Sequence, residues 1–187
     1  RLFTPKVDLS QAPAVRVSTS EWQHPAKRSQ CMVGSDTFKF LNVEHTVTSP
    51  SNWNNANWEK LWLYNLHYFD DLTAIDAEQR TDWHWALFQR WIDENPAGQG
   101  NGWEPYPSSL RIVNWIKWSF AGNTIEDSWQ YSLAVQVRYL SQNLETHLFG
   151  NHLFVNAKAL CFAGLFFDGV EADSWYKTGL QLIEREV

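Results

Sequence analysis

The stretch LETHLFGNHLFVNAKALCFAGLFFDG, residues 144–169, decides how the chain folds. Apolar residues recur at helical spacing on both sides of Gly150-Asn151-His152. Glycine is a favoured helix terminator and asparagine a favoured N-cap, so the tripeptide reads as one helix ending and another beginning. Helices joined by so short a break lie antiparallel. The same junction puts an amide and an imidazole where backbone N–H groups and the positive end of a helix dipole face outward. Such a place can hold a carboxylate and move a proton. A plainer alternative stays open, in which Asn151 only caps and His152 only fills the first turn.

Working outward, Trp58, Leu61, Trp62, Asn65, Leu66, Phe69 and Leu72 follow an i, i+3, i+4, i+7 pattern and predict a helix over 57–74. Its other face carries Tyr64, His67, Tyr68 and Asp71. A second helix is expected over 78–94, ended by Asn95-Pro96. The Gly-rich loop AGQGNGWEPYP follows, and Ser108-Ser109 offer caps for a third helix over 108–121. A fourth, over 126–149, places Trp129, Leu133, Val137, Leu140, Leu144 and Leu148 on one stripe. A fifth runs from 151 to about 167, with Phe154, Leu160 and Phe162 in the core, and a sixth from about 172 onward. The fold class is therefore all-α, built of antiparallel helical hairpins as in a bundle or an (α/α) toroid, over residues 51–187. Residues 1–50 differ. They hold β-branched and aromatic segments at Ala14–Ser18 and Thr37–Val47 between prolines, and predict an irregular segment with one or two short strands.

Composition narrows the function classes. The 187 residues are 44% hydrophobic and 19% charged, a globular balance. No stretch approaches the roughly 18–20 apolar residues of a membrane span. The net charge of −6 argues against nucleic acid as partner. It argues only mildly against a polyanionic sugar, because a site can be locally basic in an acidic protein. Cys31 and Cys161 are too few for a disulfide framework and lack metal-ligand spacing, and Cys161 reads as a small core residue. His147 and His152 also lack the spacing of zinc ligands. Ten of the twelve tryptophans lie between Trp53 and Trp129. Most are expected in the core, and the rest suit a groove where indole faces stack on sugar rings.

Three stretches, LWLYNLHYFDDL (61–72), GNGWEPYPSSLRIVNWIKW (100–118) and residues 144–169, together resemble the N-terminal domain of the heparinase II/III-like polysaccharide lyases. The resemblance runs from about Phe38 to about Glu184. It implies an incomplete (α/α) toroid that continues past Val187 into the rest of the toroid and a β-sandwich, and a periplasmic or secreted location. It implies cleavage of a uronic-acid-containing, anionic polysaccharide by β-elimination, with no cofactor. Asn151 would neutralise the substrate carboxylate and His152 would serve in base chemistry or substrate contact. A further tyrosine and histidine would lie downstream.

The residues themselves suit those tasks. An asparagine amide donates hydrogen bonds without titrating, and imidazole is poised between acceptor and donor near neutral pH. Arg111 can grip an acidic group bidentately and shares a helix face with Asn114 and Trp115; pairing of Arg111 with an acidic neighbour is the equal alternative. Trp103 and Tyr106 in the loop suit a sugar platform, and Tyr64 and His67 form a further candidate cluster. Two rivals remain: a non-catalytic glycan-binding or polysaccharide-assembly protein, and an (α/α)-barrel glycoside hydrolase. The hydrolase needs two carboxylates about 5–10 Å apart, and only Asp70, Asp71 and Glu104 flank the aromatic motifs.

Overall fold

A computed structural model describes residues 6–17, 21–146 and 151–186. Among them are six α-helices and one small two-stranded sheet: β1 (Thr37–Phe40), β2 (Val43–Thr46), α1 (Lys60–Leu66), α2 (Thr81–Glu94), α3 (Pro105–Phe120), α4 (Asp127–Ser141), α5 (Asn151–Phe166) and α6 (Val170–Glu186). The all-α expectation holds for the body. No helix among the described residues is long and apolar enough to cross a membrane.

The Thr37–Val47 segment is an antiparallel hairpin pairing Thr37 with Thr46 and Phe40 with Val43. Leu41 and Asn42, both at positive φ, make the tight turn whose twist matches the strands. Ala14–Ser18 contributes only an isolated bridge between Val15 and Phe167; Ser18 lies outside the described residues. The N-terminal segment is tied to the body by Arg138, which donates to the Ser10 and Gln11 carbonyls while pairing with Glu171. Phe38, Phe40 and Val47 join the same core as the helices.

Helix boundaries differ from the expected ones where side chains capture backbone. The helix expected over 57–74 stops at Leu66, turns through Phe69 at φ 61, and resumes as a 3-10 turn at Asp70–Thr73. Arg111 donates to the His67 carbonyl (3.3 Å) and Asn114 to the Tyr68 carbonyl (2.8 Å), occupying acceptors that a continuing helix would use. The apolar period runs on because both pieces bury the same side. Residues 77–80 form a 3-10 turn ahead of α2. α3 starts a turn earlier than expected, at Pro105, where a proline loses nothing by lacking an N–H. Ser108 and Ser109 then sit inside the helix rather than capping it: Ser109 donates to the Pro105 carbonyl and Ser108 accepts from Arg111. α4 ends at Ser141, and His147, Leu148 and Gly150 lie outside the described residues.

α5 and α6 pack as a close hairpin, and α3 packs on α5. A Cβ on Gly164 would meet the Ala172 carbonyl oxygen at 2.6 Å, and one on Gly179 the Ala157 oxygen at 2.7 Å, so both glycines permit the close approach. Leu160 is buried and Phe162 partly so, but Phe154 is 43% exposed, against the expectation of a core residue. The inward face of α5 is Leu153, Asn156, Ala157, Leu160 and Gly164, and Phe154 turns away from it. Tryptophans fill the interior: Trp53, Trp62, Trp91, Trp115 and Trp129 are all but fully covered, and Phe88 stacks face to face with Trp129.

Candidate functional site

α1, α3 and the start of α5 bring their polar faces to one wall. On α1, Tyr64 donates a very short hydrogen bond to Glu104, the residue before α3. Lys60 pairs with the same carboxylate at 3.0 Å. Tyr106, in the first turn of α3, meets Tyr68 edge-on (6.1 Å between rings) and the His152 ring on α5 at 4.6 Å. His152 Nδ1 lies 3.1 Å from Glu145 Oε1, and the His152 side chain is 43% exposed. Asn151 is the first residue of α5 and is exposed. The wall therefore gathers residues of all three motifs: a phenol cluster, two carboxylates, an imidazole and an amide.

Burial, the bond to Glu104, and the charges of Glu104 and Glu145 push the Tyr64 phenol above its ordinary value. Tyr68 is pushed up by burial first, then by Tyr106, Asp70 and Tyr64. Both phenols stay protonated at neutral pH, and Tyr64 donates to Glu104. Beside Glu104 and Glu145 a hollow of about 350 Å³ opens between the Gly-rich loop and Tyr139. A second cavity, about 300 Å³, lies away from the wall between Trp22, His24, Leu72, Ala74 and Trp118, with Lys117 on its lining. Its lining includes the Lys27–Glu78 ion pair and none of Tyr64, Tyr106 and His152.

Four of the expected substrate contacts are placed inside the protein. Arg111 is 0% exposed, donates to Gln136, Ser108 and the His67 carbonyl, and sits 3.8 Å above the Trp91 ring. Asn114 is buried and donates to Tyr68 O and Asp70 Oδ1. His67 is fully buried, accepting from Trp91 Nε1 at Nδ1 (3.0 Å) and donating from Nε2 to the Trp53 carbonyl (3.1 Å). Burial, then the Arg111 charge, push it down to about 3, so it stays neutral. Trp103 is 4% exposed, its indole donating to the Asn95 carbonyl and packing on Tyr139. It borders the hollow without offering an open face. In this structure the donors of these four side chains meet protein groups, whereas Tyr106 and Tyr64 lie on the wall.

Glu104 was legible in the sequence only as a carboxylate beside the aromatic motifs, and Glu145 not at all. Lys117 on α3 lines the second cavity and is pushed down by burial first, then by the positive charges of Lys158 and Arg28, with Asp70 opposing. No group of three His, Cys, Asp or Glu able to hold a metal is found among the described residues. No protein-family model, curated protein or solved structure matches the chain.

Proposed function

We propose that the chain is the helical, N-terminal part of a polysaccharide lyase that cleaves a uronate-containing glycan by β-elimination. The observation that carries the reading is convergence: Tyr64 and Tyr68, Glu104 and Tyr106, and Asn151 and His152 come from three stretches far apart in sequence and meet on one wall. The packing of α3 on α5 and of α2 on α4, each pairing a helix with its next-but-one neighbour, supports a toroid with inner and outer helices.

In this reading the uronate carboxylate lies at Asn151, where a neutral amide donor and the N-terminal end of α5 offset its charge. His152 takes the C5 proton. The C5–H electron pair becomes the C4=C5 double bond, the C4–O4 bond breaks, and the leaving oxygen takes a proton from a phenol. The resemblance puts that tyrosine downstream; Tyr106 is the phenol of this chain in ring contact with the base. Donors fixed in place stabilise the enolate-like intermediate.

The test is to incubate the full-length parent protein with a panel of uronate polysaccharides and follow the ultraviolet absorbance of the unsaturated uronate product. The reading stands if absorbance grows and is abolished in Asn151→Ala and His152→Ala with circular dichroism unchanged. A second reading, the glycoside hydrolase, is favoured by Glu104 and Glu145 lining one hollow. It predicts new reducing ends without that absorbance, and their loss in Glu104→Gln. Binding without any cleavage would point to the non-catalytic glycan-binding protein.

A further inference from the structure

The imidazole of the wall is held by hydrogen bonds that begin in the core. Asn156 on α5 is fully buried. Its Nδ2 donates to Ser109 Oγ on α3 (3.0 Å) and to Glu145 Oε2 (3.3 Å), and its Oδ1 accepts from the Glu145 backbone N–H (2.9 Å). Glu145 is thus clamped by main chain and side chain to one buried amide, which fixes where its second oxygen points. That oxygen, Oε1, lies 3.1 Å from His152 Nδ1.

A carboxylate only accepts, so the neutral ring must carry its hydrogen on Nδ1 and leave the lone pair on Nε2. Imidazole on its own favours the opposite tautomer. Among the described residues none bonds His152 Nε2, and the ring rests against Tyr106. We propose that Glu145 is a positioning residue, anchored by Asn156, that holds His152 as the Nδ1–H tautomer and makes Nε2 the proton acceptor of the wall. A carboxylate behind a catalytic imidazole sets its tautomer, aims its ring and stabilises the imidazolium that forms when the proton arrives. The inference deepens the lyase reading, which supplies the C5 proton that Nε2 receives; the tautomer itself does not depend on that reading.

The experiment is nitrogen NMR of the histidine side chains in the whole chain, at alkaline pH where the ring is neutral. His152 is assigned by the signals missing from His152→Gln. The wild-type protein is expected to show a protonated Nδ1 and a bare Nε2, and Glu145→Ala to move His152 to the Nε2–H form. A wild-type His152 with hydrogen on Nε2 overturns the proposal without recourse to any variant, and so does a tautomer that Glu145→Ala leaves unchanged. In the lyase assay, Glu145→Gln is expected to lower kcat about 10–100-fold with KM unchanged; a change confined to KM would also overturn it. The expected tautomer in a protein that cleaves no uronate glycan would sink the lyase reading alone.

Discussion

His67, just past the end of α1, and His152, in the first turn of α5, have very different surroundings. Both ring nitrogens of His67 are occupied, one by Trp91 and one by the Trp53 carbonyl, in a core that leaves the ring no water. His152 has one nitrogen on a carboxylate, a ring face on Tyr106 and much of its side chain in solvent. Most interior polar groups follow the first pattern, Trp115 Nε1 and Asn95 Oδ1 being exceptions that find no partner. Asp71 accepts from Arg80 Nε (2.8 Å), His84 Nε2 (2.9 Å) and the Cys31 and Met32 amides, pinning residues 31–32 to the turn ahead of α2. The difference suggests a division to test: satisfied polar groups in the core hold the fold, and half-satisfied ones on the wall are those the proposed chemistry would use.

The largest expected effect tests the interior half of that division. Burial would raise the Asp71 carboxyl, but hydrogen bonds from His84, Arg80 and the two amides outweigh it and hold the group well below its ordinary value. Asp71→Ala leaves Arg80 buried without a counter-charge, which costs about 3–5 kcal/mol. Urea unfolding monitored by tryptophan fluorescence would show this as a large drop in midpoint. A loss under about 1 kcal/mol would mean that the cluster is dispensable and the division is wrong.

Next in size is the acid sensitivity of His67. Its ordinary value is 6.5 and its folded value about 3, so between them the unfolded chain binds a proton that the folded protein does not. Stability is intact above about 6.5 and falls as pH drops toward 3, by about 1.4 kcal/mol per pH unit, or about 2 kcal/mol by pH 5. Asp71 acts in the same direction but only near and below 3.8, so the window from about 6.5 to 4 separates His67 from it. Denaturation midpoints across that window should show the slope in wild type. His67→Gln, whose amide can accept from Trp91 and donate to Trp53, should flatten it.

How much of this was legible beforehand follows from what a sequence encodes. Most of the helices could be read because they bury a stripe, and stripes are periodic. The start of α5 could be read from Asn151 following a glycine. The break after Leu66 could not: it depends on Arg111 and Asn114 reaching carbonyls more than forty residues away in the chain. The same long-range capture turns Arg111, read as an anion grip, into a buried brace for the loop that carries Tyr68. Trp103 misled for a related reason, since a tryptophan in a Gly-rich loop gives no sign that Trp91 and Tyr139 will cover it. Glu145 was invisible because its importance lies in facing Asn156, a contact made across a helix break.

The smallest expected stability change belongs to the wall, and it sharpens the comparison most. Asn151 and His152 lie at the first turn of α5, with Asn151 exposed and His152 only partly covered, so replacing either with alanine should shift unfolding by no more than about 0.5 kcal/mol. Loss of the Glu145 contact adds little, because His152 keeps much of its side chain in water and Glu145 stays held by Asn156. The same substitutions should lower lyase turnover about 10²–10⁴-fold, the usual worth of a positioned acid–base group. Paired measurements on the same samples decide the matter. If His152→Ala unfolds as easily as Asp71→Ala, the wall is part of the scaffold and its half-satisfied groups have a structural explanation. If it keeps its stability and loses turnover, the contrast between His67 and His152 is the boundary between what holds this protein together and what it uses.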